Sequence, residues 1–405
     1  MLKCGLLGKT LGHSYSPRIH RLLGSYEYQL YEKQPEELED FLLNGDWDGL
    51  NVTIPYKKEA FRYCSRLSET AKGLGSVNTL VRLPDGSICG DNTDVYGFSQ
   101  TVRLSGIRVR GKKTLVFGNG GAAQAVLYAL RQLGAETVVI SRSGENNYEN
   151  LHLHLDAQIL VNTTPVGMYP NTGEAVIDVA SFPKAEAVFD IVYNPARTEL
   201  LLQAERLGIP CFGGLYMLVA QAKKSSEQFA GKAIDDKVIG RITEKLSFEM
   251  QNIVLIGMPG CGKSRIGRLL AEKTGRRFVD ADAELVKAAG RPIPQIFAED
   301  GEEVFRELET KTLQQLGKQS GLVIATGGGC VTRERNYPLL HQNGRIVCLV
   351  RDLDKLAVDG RPISLSKDVH LLYQERKDSY RAFADVLVDN NEGPQACVKH
   401  ILEVL

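Results

Sequence analysis

What this sequence lacks narrows it before any motif is read. It has no surplus of either charge: 49 lysines and arginines balance 49 aspartates and glutamates in 405 residues. That excludes the basic face of a general nucleic-acid or anionic-membrane binder and leaves room only for local cationic sites. The eight cysteines include no Cys-x-x-Cys and no cysteine–histidine spacing suited to zinc, so neither a disulfide framework nor a zinc site is expected. Free thiols in a reducing cytoplasm are the expectation instead. No apolar run approaches the length of a bilayer span, and the opening Met-Leu-Lys-Cys-Gly-Leu-Leu-Gly has no signal-peptide layout. Internal repeats and low-complexity tracts are missing as well. Small-molecule substrates are the expected partners, not nucleic acid or membrane, and the oligomeric state stays open.

What is present is too long for one hydrophobic core, so two or three domains are expected. At residues 2–8, 114–121 and 253–262 an apolar strand runs into a glycine-rich turn. Strand, glycine turn and helix together open an α/β unit. Short β-branched runs at 49–53, 137–140, 158–162 and 187–191 extend the pattern. The chain therefore reads as α/β throughout, with mostly parallel sheets. Over 233–249, Ile234, Val238, Ile242 and Leu246 recur at nearly the helical period. A helix is expected there, with a seam near Met250, a new strand from Asn252 and a second boundary near 105–110.

After the last of these strands, Gly257-Met-Pro-Gly-Cys-Gly-Lys-Ser264 fits G-x-x-x-x-G-K-[ST]. Such a loop turns backbone N–H groups toward phosphate; Lys263 would reach the β and γ phosphates and Ser264 would ligate Mg²⁺. Phe278-Val-Asp-Ala-Asp282 follows, with Asp280 and Asp282 on one side of a strand by alternation. Paired acids there suit metal water and a substrate hydroxyl; capping of a helix starting near Asp282 is the equal alternative. Gly301–Glu309 reads as helix, and Arg306 taken alone is an exposed arginine paired along it. Gly327-Gly-Gly329 is either a site of close ligand approach or a flexible turn. Arg361-Pro362 and Glu375-Arg376 with Tyr380 complete the set.

In this order the motifs resemble the shikimate kinase family across 252–405. The resemblance implies a P-loop, nucleoside-monophosphate-kinase-like fold using MgATP. It implies ATP held by Gly260, Cys261, Gly262, Lys263, Ser264 and Arg361, with Lys263, Asp282 and Arg361 catalytic. Shikimate would be bound by Asp282, Arg306, Gly328, Gly329 and Arg376, and the metal by Ser264 and Asp280. The stretch from Leu349 through Arg361 to Arg376 is shorter than the family pattern, and Ile363-Ser364 stand where two leucines are usual.

The middle glycine turn, Gly118-Asn-Gly-Gly-Ala-Ala123, does not match G-x-G-x-x-G strictly. The next strand ends in Ser141-Arg142-Ser143 rather than an acid, which favours a 2′-phosphate, and hence NADP, over a free ribose hydroxyl. Upstream lie polar clusters: Gly12-His-Ser-Tyr-Ser-Pro17, Asn51–Lys57, Gly75–Thr79 and Gly90–Asp94. Singly these are turn chemistry, and His13 reads as a capping or surface residue.

With Asn162–Met168, Asp190–Pro195 with Thr198, and Gly213–Gln221, they resemble the shikimate dehydrogenase family over 2–249. The resemblance implies Ser14, Ser16, Thr53, Asn78, Asp94, Tyr193 and Gln221 around shikimate, with Lys57 and Asp94 as the catalytic pair. A hydroxyl that loses hydride must also lose its proton, which a Lys–Asp pair relays; positioning alone, with the proton leaving through water, is the alternative role. NADP would meet Gly118, Asn119, Gly120, Gly121, Ala122, Ser141, Arg142, Ser143 and Gly214. The stretch between Arg142 and Asn162 is short and polar and lacks the helix the family carries there.

The expected organisation is thus a shikimate-binding α/β domain over 1–105, completed by helices in 214–249; a Rossmann-like NADP domain over 106–213; and a P-loop kinase domain over 250–405. The expected function is bifunctional: reduction of 3-dehydroshikimate with NADPH, then phosphorylation of shikimate with MgATP. Two alternatives stay open, a first half acting on quinate and a first half that only binds ligand.

Overall fold

Three sheets carry the fold, and each grows from one of the strand–glycine openings. The computed structural model describes residues 1–12, 14–356 and 369–405. Its first unit comprises 1–168, 174–193 and 200–246; its second comprises 169–173, 194–199 and 247–405.

The first sheet contains β1 (Lys3–Gly8), β2 (Glu27–Glu32), β3 (Gly49–Val52), β4 (Arg66–Leu67), β5 (Thr79–Arg82) and β6 (Ile88–Asp91), in the order β2-β1-β3-β5-β6-β4. Among the described strands pairing is mostly parallel, as expected; the departure is β5, which runs antiparallel to both β3 and β6. A tight turn reverses the chain: Leu83 N–H bonds the Ser87 carbonyl at 2.8 Å, and Asp85 accepts from Ser87 N–H at 3.0 Å. Asp85-Gly86 occupies the turn, a pair suited to a tight hairpin because glycine takes the left-handed backbone there (φ 81°). The reversal has a consequence. Thr79 pairs with Asn51 of β3 and with Asp91 of β6. The amino end of β5 thus lies beside the carboxyl ends of β3 and β6, and Asn78, Lys57 and Asp94 converge on one sheet edge.

The second sheet is parallel throughout: β7 (Lys113–Phe117), β8 (Glu136–Ile140), β9 (Ile159–Asn162), β10 (Ala187–Asp190) and β11 (Cys211–Phe212), ordered β11-β10-β9-β7-β8. Successive strands leave β7 in opposite directions, so the turn at Gly118 stands at the topological switch point, where open α/β sheets bind ligands. The third sheet, in the second unit, is also parallel: β12 (Asn252–Ile256), β13 (Arg277–Asp280), β14 (Leu322–Ala325), β15 (Gly344–Val350) and β16 (Val386–Asp389), ordered β13-β14-β12-β15-β16. Every residue of β12 and β14 is buried, as strands covered on both faces require.

Two helical expectations shift. The helix expected over 233–249 runs Lys237–Met250. Asp235 accepts the Lys237 N–H at 2.9 Å and so caps its start; its core face is Ile239, Ile242, Leu246 and Met250, so Ile234 lies outside the helix. In Ile293–Gly317 the backbone breaks at Gly301, whose φ of 83° is left-handed, so the motif helix starts after Gly301. All eight cysteines are free thiols, and burial pushes those of Cys330 and Cys348 up to about 12. Among the described residues no helix is long and apolar enough to cross a membrane.

Within the second unit, Ala196 N–H bonds Asn343 Oδ1 at 2.8 Å and Arg197 N–H bonds the Gln342 carbonyl at 2.9 Å. Asn252 is fully buried; it donates to the Gln319 carbonyl at 2.7 Å and accepts the Leu322 N–H at 2.9 Å. A fragment spanning 250–405 keeps the sheet and the Asn252 anchor, and we expect it to unfold cooperatively in urea. It loses the bonds that Ala196 and Arg197 donate to Asn343, Gln342 and the His341 carbonyl, so its stability should fall by about 1–3 kcal/mol relative to the same unit in the full chain. A fragment with no cooperative transition would refute a division at 249/250.

Candidate active sites

The edge where β3, β5 and β6 meet is polar and half-closed. Lys57 opens a short helix, and its Nζ lies 2.6 Å from Asp94 Oδ2 with both side chains largely covered. Asp94 sits in the first turn of its helix, where the macrodipole favours a carboxylate. Its other oxygen accepts from Asn78 Nδ2 at 2.9 Å. The Asn78 amide is oriented in turn, because its Oδ1 accepts the Thr93 backbone N–H at 2.7 Å. Lys57, Asp94 and Asn78 are therefore brought together, as a fixed row rather than three loose side chains.

The other expected residues of this half are placed as follows. Ser16 is buried at the start of its helix, and its N–H bonds Ser14 Oγ at 3.2 Å. Tyr15, between them, meets the Tyr193 ring edge-on at 6.0 Å, which joins Tyr193 to the Ser14–Ser16 turn. Thr53 follows β3 with its N–H on the Leu7 carbonyl at 2.9 Å. Gln221 lies on the Leu215–Ala230 helix; Nε2 donates to the Leu218 carbonyl at 2.9 Å, and Oε1 is 3.5 Å from Thr93 Oγ1. His13 lies outside the described residues.

At the switch point Gly118 holds φ 109°, and a Cβ there would come within 2.8 Å of Thr163 Oγ1. A Cβ on Gly120 or Gly121 would meet nothing within 4 Å. Their backbone is thus open to a ligand at the start of the Gly121–Gln132 helix, beside exposed Asn119 and half-buried Ala122. Ser141 is buried, whereas Arg142 and Ser143 are exposed. The short stretch after them is ordered by its asparagines. Asn150 Oδ1 accepts the Asn147 N–H at 2.8 Å, and Asn147 Oδ1 accepts the Glu149 N–H at 2.9 Å. Gly214 opens the helix that carries Gln221, its N–H on the Val192 carbonyl at 2.9 Å.

In the second unit the P-loop frames a cavity of ≈ 750 Å³. Lys263 is buried, its ammonium 2.8 Å from the Gly257 carbonyl and 3.1 Å from that of Met258. Gly260, Gly262 and Ser264 line the cavity, while Cys261 is buried beneath the loop with its carbonyl held by Asn390 Nδ2 at 2.7 Å. Asp280 ends β13 and caps the next helix through Asp282 N–H at 3.2 Å, while its Oδ2 accepts from Ser264 Oγ at 2.7 Å. The two acids therefore do not alternate on one strand: Asp282 is in the first turn of the helix, and the capping residue is Asp280. The capping reading and the metal reading both apply to Asp280. A hydroxyl and a carboxylate side by side fit Mg²⁺, which keeps several of its waters and takes few protein ligands.

Arg306 corrects its single-residue reading, for it is not on an exposed face. It is 3 % exposed and grips buried Glu309 at 2.8 Å and Glu302 at 3.0 Å. Burial pushes the Glu309 carboxyl up against the pull of Arg306. Arg376 is buried too and donates to the Gly328 carbonyl at 3.1 Å, which also accepts from Tyr380. The three glycines are closely packed instead of loose. A Cβ on Gly327 would lie 2.8 Å from both Asp282 Oδ1 and Glu309 Oε1, one on Gly328 2.7 Å from the Pro259 ring, and one on Gly329 inside the Arg306 guanidinium. Arg361 lies outside the described residues.

Sequence reasoning missed Glu309, Asn390 and a buried set around Ser225. Glu309 stands in the quoted Gly301–Glu309 motif, but no local pattern points to Asn390 or Ser225.

Comparison with known proteins matches this geometry to two families. Residues 6–80 match the model of the shikimate dehydrogenase substrate-binding domain, and residues 259–405 match that of shikimate kinase. The NADP(+)-dependent shikimate dehydrogenase of Clostridium perfringens is 34 % identical over 264 residues, covering 60 % of this chain and 97 % of that protein. A chorismate mutase/shikimate 5-dehydrogenase fusion protein from Clostridium acetobutylicum superposes with TM-score 0.58 at 35 % identity, covering 61 % of this chain and 97 % of that one. Shikimate 5-dehydrogenase from Thermus thermophilus, in complex with NADP(H) and shikimate, gives 0.56 at 29 %, with 60 % and 99 % covered.

The packing of Gly329 gives a direct test of the Arg306 site. Gly329→Ala must displace the guanidinium, and a misplacement of about 1 Å costs about 10² in rate. We expect phosphorylation of shikimate to fall by that order while nucleotide binding, followed by fluorescence, is kept. Unchanged phosphorylation would show that Arg306 is not held against substrate.

Proposed function

The chain belongs to the shikimate dehydrogenase family over its first part and carries a shikimate kinase domain after it; from that premise we propose how its two sites divide the work. It is a bifunctional shikimate-pathway enzyme. One site reduces 3-dehydroshikimate with NADPH, and the other phosphorylates the shikimate formed, with ATP. The observation that carries this reading is that each half has its own polar site: the Lys57–Asp94–Asn78 row at one sheet edge, and the ≈ 750 Å³ cavity lined by Lys263, Ser264, Asp280, Asp282, Arg306 and Arg376.

In the first site, bound NADPH supplies the hydride. The chain supplies the proton and the orientation. Lys57 gives a proton to the alkoxide developing at the reduced carbonyl, and Asp94 holds its ammonium in place. Thr53, Asn78 and Gln221 hold the ring hydroxyls; Ser14, Ser16 and Tyr193 take the carboxylate. Arg142, with Ser141 and Ser143, would hold the 2′-phosphate of NADPH, and the Gly118–Ala122 turn and Gly214 the rest of the cofactor.

In the second site, ATP with Mg²⁺ supplies the phosphoryl group and neutralises its charge. Asp282 takes the proton of the attacking hydroxyl. Arg306 and Arg376 clamp the carboxylate, since guanidinium forks match it, beside Gly328 and Gly329. Lys263 would neutralise the β and γ phosphate charge, and Ser264 and Asp280 would hold Mg²⁺, directly and through water. Arg361 is assigned to the phosphates on the family pattern alone. The domain division is 1–105 with 214–249 for substrate, 106–213 for NADP and 250–405 for the kinase. Free thiols suit a reducing compartment, the cytoplasm.

Two lysines separate the activities. Lys57→Ala should lower reduction of 3-dehydroshikimate by about 10²–10⁴ and leave phosphorylation intact; Lys263→Ala should do the converse, by about 10²–10³. Assays of both reactions on both variants decide, and a variant losing both activities or neither would overturn the assignment. Arg142→Asp should raise the Michaelis constant for NADPH far more than that for NADH, because like charge then meets the 2′-phosphate. An unchanged preference would show that the phosphate is bound elsewhere.

A further inference from the structure

Behind the first site lies a buried group of three hydroxyls, two from the quoted Gly75–Thr79 and Gly90–Asp94 clusters and a third, Ser225, that no motif announces. Ser225 and Thr79 are 0 % exposed and Thr93 is 1 % exposed. Their oxygens form a closed triangle: Ser225–Thr79 at 2.8 Å, Ser225–Thr93 at 3.1 Å and Thr79–Thr93 at 3.3 Å. The corners are tied to residues of the site. Asn78 Oδ1 accepts from Thr79 Oγ1 at 3.0 Å and from Thr93 Oγ1 at 3.1 Å. Gln221 Oε1 lies 3.5 Å from Thr93 Oγ1, and the Gln221 carbonyl 3.1 Å from Ser225 Oγ. Asn51 Nδ2 donates to Ser225 Oγ at 2.8 Å.

Each hydroxyl has one proton to give. Four contacts to Asn78 and Gln221 compete for those of three hydroxyls, before any bond within the triangle is counted. The group therefore adopts one pattern at a time, and the patterns differ in whether Thr93 donates to Asn78 or to Gln221. Thr93 is the bridge between the two side chains, and Ser225 bears on it by touching both threonines and the Gln221 backbone. A serine serving only its own helix needs just the bond to the carbonyl four residues back. Here that bond is one of four contacts, and the two to Thr79 and Thr93 lead by way of the Asn78 side chain to Asp94 at 2.9 Å and on to Lys57 at 2.6 Å.

We propose that Ser225 is a positioning residue of the dehydrogenase: acting through Thr93, its hydroxyl couples the side chain of Gln221 to Asn78 and thereby to the Lys57–Asp94 pair. This rests on the reading of the first site given above. Single and double variants of the full chain test it, with Ser225→Ala and Gln221→Ala combined. Ser225→Ala should lower kcat/KM for 3-dehydroshikimate about five- to tenfold, the worth of one buried neutral hydrogen bond, with the KM for NADPH and the phosphorylation of shikimate unchanged. In the Gln221→Ala background the same change should cost less than about twofold, because the coupled partner is gone. Ser225→Thr should restore part of the rate, and near-isosteric Ser225→Cys should not. Equal losses in both backgrounds, or a loss matched by the fall in folded fraction on thermal melting, would overturn the coupling and leave the dehydrogenase reading standing. An unmodified chain that does not reduce 3-dehydroshikimate would overturn that reading, and the coupling with it.

Discussion

A charge taken out of water has to be met by a fixed partner, and each unit arranges its site around one such pair. In the first unit it is Lys57 with Asp94; in the second it is Arg306 with Glu309. Removing water from such a pair strengthens the attraction and raises the cost of a misplaced partner. The surroundings are therefore rigid. Asn78 is locked by the Thr93 N–H, and Arg306 is hemmed in by a glycine that leaves no space for a side chain. Pre-set geometry of this kind is what proton transfer and phosphoryl transfer both require, since orientation does more for them than covalent chemistry by the protein.

The sheets put the rest where it is needed by one rule. Loops after the carboxyl ends of β1, β3, β7, β12 and β14 carry Ser14, Lys57, Gly118, Lys263 and Gly327 in turn, and Asp280 is the last residue of β13. Asn78 is the exception, because it precedes its strand. The reversal of β5 brings it to the same edge, so the one antiparallel strand of the first sheet places a site residue as well as completing the sheet.

Local backbone chemistry made some of this readable in advance. The P-loop and the turn at Gly118 announce themselves because glycine spacing after an apolar strand has a narrow set of uses. The start of β12 at Asn252 was legible from the switch between helical period and continuous apolar run. Arg306 was not. Its neighbours Glu302 and Glu309 suggest an exposed helical pair, and only the packing of Gly329 and the cavity wall against it show that this face of the helix is interior. Asp282 was misplaced for a related reason: alternation holds along a strand, and the strand had already ended at Asp280.

The sequence by itself determined the fold class, the two families and the order of their motifs, because these depend on residues close together along the chain. Only the tertiary structure decided which of those residues meet. Thr79 and Ser225 are 146 positions apart, and no local pattern joins a threonine at a strand start to a serine in the middle of a helix. Their contact exists because β5 runs backwards and the Leu215–Ala230 helix returns from beyond the second sheet to pack against the first domain. A hydrogen bond that depends on two such long-range placements is fixed by the whole core and by no segment of it.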